Sequence, residues 1–239
     1  MSVTPARIVL TRASEIDRPW RRALEAAGVE VLHLPLVRFE TLPLPRDLAP
    51  GAFDWILFTS PQGVRAFRDA GLEPGDALVG ALGGGTAATL AACGLRDALG
   101  ANAQDGAGLA RFFRARVAAP AAVLLPGPEK RLAEPRTTLA AAGFAVTELP
   151  LYRTVGVPAS DLPEAPPADG DVVFFCSPSA VDAFVAAYAE RPACVAIGET
   201  TAVACRRAGL QVTVADEPSL QGMARACGLE LHDSPDPPE

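Results

Sequence analysis

A chain of 239 residues, 49% hydrophobic and 21% charged, carries enough apolar material to bury one large core or two smaller ones. Its formal net charge of −7 excludes the concentrated basic face of a general nucleic-acid binder, and no apolar run approaches the ~18–20 residues of a membrane span. Two histidines at opposite ends of the chain and five cysteines without a CxxC pair argue against zinc or iron chemistry, and no cofactor is expected.

The opening residues, Met1 to Leu10, have no basic stretch leading into an apolar one. They read as a short lead into a first strand, Arg7-Ile8-Val9-Leu10, and not as a secretion signal, so a cytoplasmic protein is expected. A helix ending in Leu24-Glu25-Ala26-Ala27, a stop at Gly28 and a second strand follow, with His33 alternating into a half-buried strand position. Leu34-Pro35-Leu36-Val37-Arg38 closes this unit, and the proline-rich Leu42-Pro43-Leu44-Pro45 flanks a crossing. Phe53-Asp54-Trp55-Ile56-Leu57-Phe58 is a further strand, and Thr59-Ser60-Pro61-Gln62-Gly63-Val64 turns it into a helix. Gly83-Gly84-Gly85-Thr86 opens another helix.

The same series then returns. Ala122-Val123-Leu124-Leu125, the stop at Gly143 and Leu149-Pro150-Leu151-Tyr152-Arg153 repeat the first unit. Asp171-Val172-Val173-Phe174-Phe175-Cys176-Ser177-Pro178 and Gly198-Glu199-Thr200-Thr201 repeat the second, after prolines between Pro158 and Pro167. Ile8 and Val123, Gly28 and Gly143, and Gly83 and Gly198 are each 115 residues apart, and Asp54 and Asp171 are 117 apart. Continuous apolar strands separated by helices indicate parallel sheets covered on both faces, hence a duplicated, flavodoxin-like α/β fold of two doubly wound lobes. Cys93, Cys176, Cys194, Cys205 and Cys227 sit mostly among alanine, valine and phenylalanine and read as small buried thiols. The last seven residues, 233–239, read as a frayed acidic tail.

Two pairs of turns carry the candidate chemistry. Ser60-Pro61 and Ser177-Pro178 each place a serine and a proline after a strand and before a helix, which suits an N-cap with proline at the first helical position. Capping alone explains such a turn; its other use is anion binding, since it lies at the carboxyl end of a parallel strand and carries free N–H groups. The turns at Gly84-Thr86 and Thr200-Thr201 offer the same alternatives. Gly80 to Thr86 has no lysine before Thr86 and lacks the dinucleotide spacing, so it is not read as a nucleotide loop. Lys130 is the only lysine, which leaves a Schiff base one weak candidate. Asp54 and Asp171 precede their strands and lie at the wrong end of the sheet for catalysis, while Glu129 and Glu134 read as solvated. The residues show binding turns without an acid–base engine.

Taken together, Val9-Leu10-Thr11-Arg12, Phe58 to Val64, Leu149 to Thr154, Phe175 to Val181 and Ala196 to Ala202 resemble uroporphyrinogen-III synthases in order and spacing over nearly the whole chain. That resemblance implies lobes formed by 1–37 with 156–239 and by 38–155, joined by a two-stranded hinge with the substrate in the cleft between them. It implies a hydro-lyase without cofactor that cyclises hydroxymethylbilane, a linear tetrapyrrole with eight carboxylates, and inverts ring D through a spiro intermediate. Tyr152 matches the family tyrosine that assists departure of the hydroxyl; a packing role is the alternative. Ser177, Ser179, Thr200 and Thr201 match the carboxylate-holding turns of one lobe. Ser60, Gln62, Gly63, Gly84 and Thr86 match those of the other, with Arg12 and Arg38 as charge partners. The segment Pro126-Gly127-Pro128-Glu129-Lys130-Arg131 departs from the arginine-glycine turn of relatives, and its prolines are expected to shift that loop, so Lys130 and Arg131 take no assigned role.

The partners implied are the linear tetrapyrrole and transient contact with the neighbouring pathway enzymes, with no nucleic acid, no membrane and a monomeric chain. The main alternative is a non-catalytic two-lobed cytosolic sensor for an anionic small molecule. An inactive homologue acting with a regulator is a third.

Overall fold

A computed structural model describes residues 5, 7–13, 18–45, 52–103, 105–163, 167–168 and 170–231; His232 and the expected tail 233–239 lie outside them. In chain order the elements begin with β1 (Arg7–Leu10), α1 (Arg18–Ala26), β2 (Glu30–His33), β3 (Val37–Thr41), β4 (Trp55–Phe58) and α2 (Pro61–Asp69). They continue with β5 (Leu78–Ala81), α3 (Gly84–Ala92), α4 (Gly106–Arg114), β6 (Ala122–Pro128), α5 (Arg136–Ala141) and β7 (Ala145–Gly156). After a short 3-10 turn (Ala159–Asp161) come β8 (Asp171–Phe175), α6 (Pro178–Ala187), β9 (Ala193–Ala196), α7 (Glu199–Arg207), β10 (Val212–Val214) and α8 (Leu220–Ala226). The chain divides into two compact units, Met1–Phe39 with Thr154–Glu239, and Glu40–Arg153.

The first unit holds a five-stranded sheet in the order β10-β9-β8-β1-β2. All four pairings are parallel, with Arg7 opposite both Glu30 and Asp171. Numbered within the unit this is the doubly wound order 2-1-3-4-5, whose direction reverses between β1 and β8. The strand pleat sends successive residues to opposite faces. Val9, Val173 and Phe175 therefore pack on α6 and α7 through Val181, Phe184 and Ala204. Ile8, Leu10 and Phe174 pack on the other side with Leu24 of α1 and Met223 of α8. Both faces being covered, β1 shows no polar alternation, as the sequence suggests. Gly28, at φ +78°, supplies the left-handed step that ends α1 before β2.

The second unit orders its strands β3-β7-β6-β4-β5. Here β6 runs parallel to β7 and β4, and β4 to β5. Leu42 donates its N–H to the Leu151 carbonyl and Val157 donates to that of Leu36, so β3 and β7 run antiparallel. Trp55, Leu57, Val123 and Leu125 pack on Leu109 and Phe113 of α4 and Leu139 of α5, with Trp55 edge-on to Phe113 at 5.2 Å. By the internal repeat, β6, β7, β4 and β5 correspond to β1, β2, β8 and β9, and they take the same order. Where β10 lies in the first unit, an irregular segment runs beside β5, with Ala98 and Ala103 donating to Val79 and Leu82 at 2.8 and 2.9 Å. Each sheet thus joins the strand–helix–strand of one sequence copy to the remaining strands of the other.

One segment behaves differently from the expectation. Pro126-Gly127-Pro128 does not form a displaced loop but lengthens β6, and the register slips between Gly127 and Pro128, which face Pro150 and Tyr152. Proline lacks the N–H that a regular ladder needs and is at home at such a bulge.

Candidate functional site

In a doubly wound sheet, ligands collect beyond the carboxyl ends of the strands. Each unit has a cavity there. In the second unit it measures about 360 Å³ and is lined by Ser60, Leu82, Arg131, Glu134, Glu148 and Tyr152 among others. Ser60 caps α2, its Oγ accepting from the Gly63 N–H at 3.1 Å, with Pro61 at the first helical position. The Tyr152 hydroxyl lies 3.5 Å from the same Oγ, although the residue is 5% exposed. Burial pushes the Tyr152 phenol above its ordinary pKa; the Ser60 hydrogen bond and the Arg131 charge pull it back down.

Arg131 is held by backbone alone on three sides. Nε donates to Pro128 O at 2.9 Å, Nη1 to Leu125 O at 2.8 Å and Nη2 to Leu149 O at 3.3 Å. Burial lowers its pKa, opposed by the Glu148 carboxylate and the Tyr152 phenol, and a guanidinium so placed stays charged. Glu148 stands between two cations, 3.8 Å from Arg131 and 3.7 Å from Arg136.

The first unit's cavity, about 280 Å³, lies at the point where the strand order reverses and is lined by Thr11, Arg12, Thr154, Cys176, Ser177 and Ser179 among others. Ser177 caps α6, accepting from Ala180 N–H at 3.3 Å, and its Oγ is 3.1 Å from that of Ser179. The Thr11 hydroxyl, fully buried, donates to Phe174 O at 2.7 Å and ties β1 to β8. The Arg12 guanidinium stacks over the Trp20 ring at 4.1 Å, and its carbonyl lies 3.1 Å from His33 Nε2.

The expected residues therefore separate into groups. Ser60 and Tyr152 share one cavity; Arg12, Ser177 and Ser179 share the other. Gln62 and Gly63 lie in the first turn of α2, where a Cβ on Gly63 would meet Pro126 O at 3.3 Å, so the glycine lets the helix approach β6. Gly84 and Thr200 are exposed in the first turns of α3 and α7, whereas Thr86 and Thr201 are buried beneath those turns. Arg38 lies 3.9 Å from Asp161 and lines neither cavity. The sequence leaves Arg131, Thr11 and Thr154 without an assigned role and does not single out Glu148. A signal for Arg131 exists, since it follows the first strand of its copy as Arg12 does, but the longer β6 hides the match. Asp54 and Asp171 do stand at the opposite ends of their strands, Asp54 accepting from Ala122 N–H at 2.8 Å and Asp171 from Arg7 at 2.7 Å.

Among the described residues no helix is long and apolar enough to cross a membrane, and no three His, Cys, Asp or Glu side chains gather as a metal site. None of the five cysteines, all among the described residues, is in a disulfide.

A family model described as uroporphyrinogen-III synthase HemD matches residues 18–225. The chloroplastic uroporphyrinogen-III synthase of rice, Oryza sativa subsp. japonica, is 30% identical over 227 residues, which span 88% of this chain and 75% of that protein. Among solved structures, the uroporphyrinogen-III synthetase of Helicobacter pylori superposes with a TM-score of 0.66 at 20% identity, over 92% of this chain and 95% of the other. A mutant synthase of Thermus thermophilus gives 0.56 at 22% identity, over 92% and 98%. These two structural likenesses concern the fold.

Proposed function

The chain belongs to the uroporphyrinogen-III synthase family, and on that footing we propose that it works chiefly by holding a reactive linear tetrapyrrole in one geometry. Hydroxymethylbilane loses its terminal hydroxyl to give an electrophilic azafulvene. The substituted carbon of ring D attacks it, forming a spiro intermediate, and fragmentation with recombination inverts ring D before closure to uroporphyrinogen III. One water leaves, which makes the enzyme a hydro-lyase. Left alone the substrate closes to the symmetric isomer, so positioning is the main catalytic demand.

The observation that carries the site assignment is the buried Tyr152 phenol at the wall of the second unit's cavity, 3.5 Å from Ser60 Oγ. A phenol is protonated at neutral pH and burial raises its pKa further, as suits a donor to a departing hydroxyl. Carboxylates of the substrate suit the first turns of α2 and α3 in one unit, at Ser60, Gln62, Gly63 and Gly84. In the other unit they suit the first turns of α6 and α7, at Ser177, Ser179 and Thr200. Helix N-termini bind anions without lysines, which reconciles a polyanionic substrate with a net charge of −7. Arg12 and Arg38 add positive charge to the first unit, while buried Thr86 and Thr201 shape their turns from below. We place this chemistry in the cytoplasm, in a monomer with transient contacts to the enzymes that supply the bilane and consume the ring.

The test supplies hydroxymethylbilane and resolves the uroporphyrin isomers formed. Type III in clear excess over the spontaneous type I background is expected; a background mixture rejects the synthase reading. Tyr152→Phe is expected to lower turnover severalfold with an unchanged thermal melt. Undiminished turnover would leave Tyr152 a packing residue.

A further inference from the structure

We propose that Arg131 is a positioning residue for Tyr152: its guanidinium clamps carbonyls of both β6 and β7 on either side of the register slip, and so fixes the bulge that aims the phenol into the cavity. The proposal rests on the reading of Tyr152 as proton donor.

The register of β6 against β7 slips between Gly127 and Pro128, and the Arg131 guanidinium sits on the carbonyls around that slip. Leu149, the register partner of Pro126, has its carbonyl taken up by Arg131 Nη2 at 3.3 Å. On β6 itself, Leu125 O and Pro128 O accept from Nη1 and Nε. The planar fork thus spans both strands, with acceptors at Leu125 and Leu149 before the register slip and at Pro128 after it. Pro128 is the register partner of Tyr152, and the Tyr152 carbonyl is itself held by Glu129 N–H at 2.7 Å. A lysine, being a point charge on a flexible stem, cannot bind three carbonyls in fixed directions. The same guanidinium lines the cavity beside the phenol and favours its ionised form. Among the described residues the other charged groups on this cavity are Lys130, Glu134 and Glu148, and Glu148 in turn faces Arg136.

The chain has two tyrosines, so Tyr188→Phe leaves Tyr152 as the sole phenol, and its ionisation is read directly by ultraviolet absorbance without substrate. In that background Arg131→Gln is expected to move the Tyr152 midpoint to higher pH. In the native background the same change is expected to lower kcat to the level of Tyr152→Phe with KM little altered, and to move the alkaline limb of kcat upward. The double variant Arg131→Gln/Tyr152→Phe should be no slower than either single one. Where Arg131→Gln does not fold, Arg131→Lys carries the test, with a phenol midpoint near the native value and a reduced kcat. Native kcat and an unmoved midpoint in Arg131→Gln, or native kcat in Arg131→Lys, overturn the proposal while Tyr152→Phe remains slow. Full turnover in Tyr152→Phe overturns the proton-donor reading and the positioning role with it, an outcome distinct from the first.

Discussion

Asp54 and Asp171 stand ahead of equivalent strands in the two copies, but their surroundings differ. Asp171 is 4% exposed and bound through both oxygens, by Arg7 at 2.7 and 3.2 Å and by the Ala168 N–H. Asp54 is exposed and caps the Ala122 N–H. Losing Asp171 removes three hydrogen bonds, two of them charge-assisted, although Arg7 is part-exposed and keeps Glu30 at 3.6 Å, whereas the single exposed hydrogen bond of Asp54 is worth about 1 kcal/mol. Asp171→Ala should therefore lower the urea midpoint more than Asp54→Ala, with the denaturant slope unchanged. Equal losses would mean that Arg7 finds solvent when its partner is gone. The sequence places both aspartates at the noncatalytic end but does not rank them, because the ranking depends on Arg7, 164 residues away from Asp171 in the chain. Thr86 and Thr201 teach the same lesson. A hydroxyl in a helix's first turn is legible, while its burial under the turn depends on distant packing.

At the scale of elements, strands and helix starts are the readable part. Serine followed by proline, on leaving an apolar strand, predicts the N-caps at Ser60 and Ser177, and both form. Pro126 to Pro128 misleads because proline argues against a central strand except at a bulge, and here the register slips between Gly127 and Pro128 while Arg131 binds the carbonyls around the slip. The two caps also offer a controlled comparison. Each accepts one N–H of its helix, at 3.1 Å for Ser60 and 3.3 Å for Ser177, so either change to alanine should cost about 1 kcal/mol in a thermal or urea melt. Only Ser60 also meets the Tyr152 hydroxyl. Ser60→Ala should lower kcat, and Ser177→Ala should act on KM through a weakened carboxylate turn. A fall in kcat of the same size in both would separate Ser60 from the proton-donor step.

At the scale of the whole molecule, the sequence repeat suggests cutting the chain into tandem halves, and the strand orders argue against that cut. In each sheet the first strand of one copy, β1 or β6, pairs on one side with a strand of the other copy, β8 or β4. A fragment of residues 1–118 would keep β1 and β2 but lose the three strands that complete their sheet, and would keep β4 and β5 without β6. Its hydrophobic faces would be left open on both sheets, since Val9 packs with Phe175 and Phe184, and Trp55 with Val123 and Phe144. The complementary cut fares better. The cluster of the second unit from Trp55 to Val146 lies wholly inside Glu40–Arg153, and that segment keeps β4, β5 and β6 and most of β7. Expressed alone, Glu40–Arg153 should show α/β circular dichroism and one cooperative urea transition, while residues 1–118 and 119–239 should show neither. Mixing the two halves should restore cooperative unfolding as the crossed strands find their partners. Independent cooperative transitions in the separate halves would mean that each copy can close a sheet on its own strands, and that the crossed pairing is a preference of the joined chain alone.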